Sequence, residues 1–252
     1  MPSVLGWGTA IQAGTGSFAV DVSDANPQLG CLVLFLAVRD AAPSFLTDLP
    51  MTSRALTPPT QMGTRSMLVC ADVYSGAPFT FTKKSPSGAN SIMYVTVADG
   101  AELSELVAGT VGVRNVTGTS TTNVAPGVSA EKDSLVVTFS AEATTAAEPW
   151  EPTVSGSSKF AYRPQTTSGT TSVETLIAAQ LPISSSGLTS PVTITYPNTQ
   201  ANNGSAVQIV VPKPKPLGPQ ISFMRGGVEV PGSLFMVKNG VEVPAWFENP
   251  NE

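Results

Sequence analysis

Side chains able to do chemistry are few in this sequence, and their spacing does not organise them for it. Histidine is absent, which removes the commonest general base and most zinc and iron ligand sets. Serine and threonine are plentiful, yet without histidine a hydroxyl nucleophile would need a lysine partner, and no spacing pairs them. Glu102 and Glu105 could share a face of a short helix and so approach the paired carboxylates of glycoside hydrolysis. A solvated face accounts for them equally well. Asp21, Asp24, Asp40, Asp48, Asp72, Asp99 and Asp133 are scattered, without the oxygen-rich spacing of a calcium loop. Gly14-Thr15-Gly16 lacks the lysine and the following helix of a phosphate loop and reads as a turn. No catalytic residue, cofactor site or metal site is expected.

The remaining candidates are aromatic or sulfur-bearing. Trp150, Phe160 and Tyr162 stand in a polar stretch, residues 143–169, and could offer ring faces to a glycan. Pinning that stretch to the core or to a subunit interface is the competing use. Cys31 and Cys70 lie inside apolar segments and read as small buried hydrophobes. Asn115-Val116-Thr117 and Asn203-Gly204-Ser205 match glycosylation acceptors, but without a secretory signal they mean only loop chemistry.

The elements that must position these residues are strands. Short apolar or alternating runs rich in Val, Thr, Ile and Phe, broken by Gly, Pro, Asn and Ser, are the rhythm of a sandwich or barrel. Strands are predicted over 17–22, 31–38, 66–74, 79–83, 91–97, 111–116, 135–141, 191–196 and 206–211. The run Cys31 to Val38 is apolar at every position, so both its faces must be covered; a short helix, a long loop or a neighbouring subunit would serve. Helical signals are confined to residues 101–107 and to 172–180, where Ser172 could cap. Residues 42–62 carry four prolines, which excludes a central strand. The fold class expected is all-β: an antiparallel sandwich of jelly-roll type over residues 1–211.

Residues 212–219 alternate proline and form a semi-rigid spacer of about 3.1 Å per residue. Beyond it, residues 220–252 hold a small duplication. Phe223-Met224-Arg225-Gly226-Gly227-Val228-Glu229-Val230-Pro231 is echoed by Phe235-Met236-Val237-Lys238-Asn239-Gly240-Val241-Glu242-Val243-Pro244. Gly-Gly and Asn-Gly are two-residue hairpin turns, because both central positions need positive φ. Isolated hairpins are marginal in water, so Phe223, Met224, Phe235, Met236, Trp246 and Phe247 are expected to dock on a partner.

Composition points the same way. Hydrophobic residues make up 41% of the 252, and charged residues only 12%, about half the usual share of roughly 25%. A surface of Ser, Thr, Asn and Gln is cheap to desolvate and suits a protein packed against neighbours; a low-charge secreted domain is the alternative. A net charge of −5 argues against nucleic acid as partner. No apolar run approaches the ~18 residues of a membrane span, and Met1-Pro2-Ser3-Val4 does not open a signal peptide, so folding in a cytoplasm is expected.

Leu29-Gly30-Cys31-Leu32-Val33-Leu34-Phe35-Leu36-Ala37-Val38 resembles a strand of jelly-roll domains in bacteriophage tail proteins. The likeness continues in order through Met67-Leu68-Val69-Cys70-Ala71-Asp72-Val73-Tyr74, Phe79-Thr80-Phe81-Thr82, Ile92-Met93-Tyr94-Val95-Thr96-Val97 and Ser134-Leu135-Val136-Val137-Thr138-Phe139. The Asn-Gly-Val-Glu-Val-Pro ending is similar to endings of minor tail proteins from phages of actinobacteria. Cys31 replaces the family's usual Asp and the Gly-Trp of the next loop is missing, so no ligand site is carried over. The resemblance implies a virion component near the tail tip, made in the host cytoplasm. Its partners would be other tail proteins, further copies of itself (a trimer) and a host-surface glycan. A carbohydrate-binding adhesin and a capsid decoration protein are the competing readings.

Overall fold

The computed structural model describes residues 1–12, 16–39, 54–62, 65–83, 90–100, 102–114, 122–144, 152–156, 159–166, 173–181, 183–196, 203–214, 220–225, 228–233, 235–238 and 241–244. They fall into two units, Met1–Pro214 and Lys215–Glu252.

The first unit opens with β1 (Ser3–Gln12), β2 (Gly16–Val20), β3 (Leu32–Arg39), β4 (Arg54–Ala55), β5 (Thr60–Met62), β6 (Arg65–Val73), β7 (Phe79–Lys83) and β8 (Asn90–Ala98). Their pairing is nested: β1 with β8, β2 with β7, β3 with β6, all antiparallel. The pairing is that of a long hairpin folded over on itself, and β3 also pairs with β8.

The same winding then repeats. It uses β9 (Val107–Ala108), β10 (Gly112–Arg114), β11 (Thr122–Ala125), β12 (Ser129–Ala130), β13 (Leu135–Thr144), β14 (Thr153–Val154), β15 (Lys159–Thr166), β16 (Val173–Leu181), β17 (Gly187–Leu188), β18 (Val192–Thr195) and β19 (Asn203–Val211). Here β10 pairs with β19, β11 with β18, β12 with β17 and β13 with β16, and β13 also meets β19. The two large sheets therefore have matching orders, β1-β8-β3-β6 and β10-β19-β13-β16.

Alternation explains how they stack. Leu32, Leu34, Leu36 and Val38 of β3 pack with Val137, Phe139, Val207 and Ile209 in one central core between the large sheets. The opposite face of β3, with Val33, Phe35 and Ala37, is covered by Val20, Val22, Ala25, Phe79 and Phe81. Phe35 meets the Phe79 and Phe81 rings edge-on, with centroids 5.0 and 5.3 Å away. So the doubly apolar strand is enclosed by the β2–β7 ribbon and a 3₁₀ turn (Ser23–Ala25) of its own chain. On the far side, β11, β18 and β14 cover Val136, Ala206 and Val210.

The predicted helices do not form. Residues 101–107 give only a 3₁₀ turn at Leu103–Glu105, and 173–181 is strand β16, bonded on both sides. Val173, Thr175 and Ile177 alternate there, and β-branched side chains suit a pleat better than a helix. Cys31 and Cys70 are buried free thiols of the outer core.

In the second unit, β20 (Gln220–Arg225) pairs with β21 (Val228–Ser233), and β22 (Phe235–Lys238) with β23 (Val241–Pro244). The two copies differ by one residue before the turn. Phe223 therefore opposes Val230, whereas Phe235 opposes Pro244 and Met236 opposes Val243. Phe223 shares its face with the valine positions in the first hairpin; Met236 takes that place in the second.

Candidate functional site

Two places among the described residues of the first unit are candidates for polar chemistry. The first lies under the β11–β18–β14 layer. Alternation along β13 turns Thr138, Ser140 and Glu142 to that side, and all three are buried. Asn123 Nδ2 donates to Ser140 Oγ at 3.1 Å and to the Ala141 carbonyl at 3.3 Å; Ser140 Oγ donates to the Ser205 carbonyl at 3.1 Å. Arg114 Nη2 lies 3.3 Å from Glu142 Oε1, forming an ion pair that is almost sealed from solvent. Gln208 Nε2 donates to the carbonyls of Ser190 (2.9 Å) and Ala125 (3.3 Å), while Thr189 Oγ1 donates to Gln208 Oε1 at 2.6 Å.

Burial pushes the Tyr196 hydroxyl well above its usual range, and the Glu142 charge adds to this. The phenol therefore stays neutral. The carboxylate is matched by a guanidinium, and Asn123, Thr138, Ser140, Glu142 and Gln208 are buried. Such a network fixes one layer on another. Sequence reading missed it because Thr138, Ser140 and Glu142 alternating with apolar residues normally mark a solvent face.

The second place is a cleft of about 450 Å³ where three turns meet at one end of the large sheets. Gln28, Leu29, Gly30 and Cys31 form one wall, Val73 the end of β6, and Asp99, Gly100, Glu102 and Leu103 the opposite wall. Asp99 and Gly30 sit at φ 51° and 82°. Gly30 N–H donates to the Tyr74 carbonyl and Tyr74 N–H to the Cys31 carbonyl, both at 2.9 Å. These bonds hold the mouth in one shape. Burial raises the Cys31 thiol above its ordinary value, so at neutral pH it is a thiol and a poor nucleophile. Asp99 and Glu102 share the cleft, whereas the sequence paired Glu102 with Glu105. Both cleft carboxylates are exposed, unlike the apolar seat of an acid catalyst.

Of the glycan candidates, Phe160 and Tyr162 are on β15, an edge strand of the second large sheet. Register aligns position 160 with Ala179, Thr138 and Gln208, and position 162 with Ile177, Ser140 and Ala206. Both therefore fall on the face that carries the polar network. Trp150 lies outside the described residues. Phe223, Met224, Phe235 and Met236 are on the tail strands; Trp246 and Phe247 lie outside the described residues. No group of three or more His, Cys, Asp or Glu side chains able to hold a metal occurs among the described residues.

Comparison of the chain with protein-family models, with curated proteins and with solved structures finds no match.

Proposed function

We propose that the chain is a non-enzymatic structural component of a phage virion, a minor tail or tail-tip protein, whose body is two jelly-roll windings in tandem. The nested strand pairing carries this reading: first with last, second with last but one, in both halves of Met1–Pro214. Such nesting supports a jelly-roll reading, an architecture shared by viral capsid and lectin domains, and the support it lends to a virion role is by analogy of architecture. The likeness of residues 29–38 and of the tail duplication to phage tail proteins adds to it. So do the low charge and the two tail hairpins, each too small to be stable alone in water. The closed apolar face of β3 adds nothing, since the chain covers it unaided.

The test is placement. Antibody labelling of purified particles should put the chain at the tail tip, and a chain lacking residues 215–252 should fold yet be missing from particles. Labelling of the capsid shell instead would make it a decoration protein, and particles without the chain would end the virion reading.

One observation favours a second reading, a glycan-binding adhesin. Register puts the aromatic positions 160 and 162 on the same face of β15, the last strand of its sheet among the described residues. Loss of cell-wall glycan binding in Tyr162→Ala would support it, and a blank glycan array would remove it.

A further inference from the structure

We propose that the cleft at the end of the large sheets receives the Pro-Lys arm, Pro212-Lys213-Pro214-Lys215-Pro216, of a neighbouring copy of this chain. This rests on the assembly reading above and specifies where one subunit would hold the next.

The cleft has the chemistry for such an arm. Among the described residues its lining includes two carboxylates, Asp99 and Glu102, and no basic side chain. At its rim stand two apolar side chains left open to solvent, Leu29 at 79% exposure and Val73 at 41%. An acidic, partly apolar trough fits an extended proline segment carrying lysines: the prolines lie on the apolar rim while the ammonium groups meet the carboxylates. A proline-rich arm is already extended before it binds and loses little freedom on docking. The receiving turns are likewise fixed by the Gly30, Cys31 and Tyr74 backbone bonds.

Geometry supplies the occupant. Gly100, in the cleft wall, is wedged against Leu32 and Val211; a Cβ there would come within 3.0 Å of Val211 Cγ1. Pro212 follows Val211, so the arm leaves its own body beside the cleft. Residues 212–214 do not line it, and Lys213 Nζ turns to Asp133 Oδ2, 3.8 Å away. Each copy thus carries the root of an arm, Pro212–Pro214, and an acidic cleft on the same body. Arms passed between copies would fill every cleft without any other partner.

Charge exchange in the full-length chain tests this, read by sedimentation equilibrium at low and high salt. The wild-type chain should self-associate more tightly at low salt. Asp99→Asn with Glu102→Lys should weaken association tenfold or more; asparagine is chosen because it tolerates the positive φ at 99. Lys213→Glu with Lys215→Glu should do the same, and its loss of the half-exposed Asp133 contact costs little. All four substitutions together should restore association to within about threefold of wild type, which a misfolded cleft could not do; unchanged melting temperatures complete the control. Undiminished association of the cleft variant overturns arm docking and leaves assembly through the hairpins standing. A wild-type chain that stays single at high concentration overturns both.

Discussion

Glu142 is a charge on a strand that has lost contact with water on both sides. Its stability depends on Arg114, 3.3 Å away. Removing one member of a buried pair strands the other, at a cost of about 3–5 kcal/mol, whereas replacing both by apolar residues of similar size is often neutral or favourable. Glu142→Ala should therefore lower the unfolding free energy by that amount in urea titration, while Arg114→Met combined with Glu142→Leu should recover most of it. Equal losses in the single and double variants would mean that the pair is not the unit that matters.

Two tyrosines set the alkaline limit. Burial raises the Tyr94 hydroxyl, and its hydrogen bond to the Asp24 carboxylate adds to this; burial raises Tyr196 as well. Above the ordinary tyrosine value of 10.0, the unfolded chain releases these protons first while the folded chain keeps them. Their contribution is complete below that pH and lost above it, by up to about 1.4 kcal/mol per pH unit for each group. Tyr94→Phe should flatten the fall in melting temperature above pH 10.

Among elements, the cover layers depend on close approach to a strand early in each winding, β1 and β10. A Cβ on Gly6 of β1 would lie 2.6 Å from the Ala25 carbonyl oxygen, and one on Gly112 of β10 would lie 1.9 Å from that of Val124. In both halves a glycine on that early strand lets the overlying layer come down onto the sheet. Both obstacles are backbone, which cannot swing aside. Gly112→Ala should destabilise by about 1–3 kcal/mol or more and, by lifting β11, increase amide exchange across the Arg114 and Asn123 layer. A variant that melts like wild type would refute this contact.

These elements also explain what could be read in advance. Strands such as Phe79–Lys83 and Leu32–Arg39 stand out because local pattern and tertiary role agree. β1 was missed because Gly6 and Gly8 interrupt its alternation for the sake of what lies above them. β16 was read as a helix because its leucine and alanine content masks alternating Val173, Thr175 and Ile177. The polar network and the cleft were invisible for another reason. Asn123, Glu142 and Tyr196, or Leu29, Val73 and Asp99, are brought together only by strand order, and no local spacing encodes that.

At the scale of the whole molecule, each winding is closed by its final strand. β19 bonds to β9, β10 and β13 at once, so a chain ending at residue 202 would leave β9 and β10 unpartnered, β13 with β16 alone, and the central core open on one side. Such a truncation should be insoluble or bind hydrophobic dyes, while a chain ending at Pro214 should unfold cooperatively.

Order of synthesis follows from the same nesting. The first winding can close once Ala98 has left the ribosome, but its inner apolar face has no cover until β13 arrives, on the order of five seconds later at ~5–20 residues per second, and no complete cover until Val211 follows. During that interval the nascent polypeptide carries a finished half with a bare hydrophobic wall, the kind of surface a chaperone would shield.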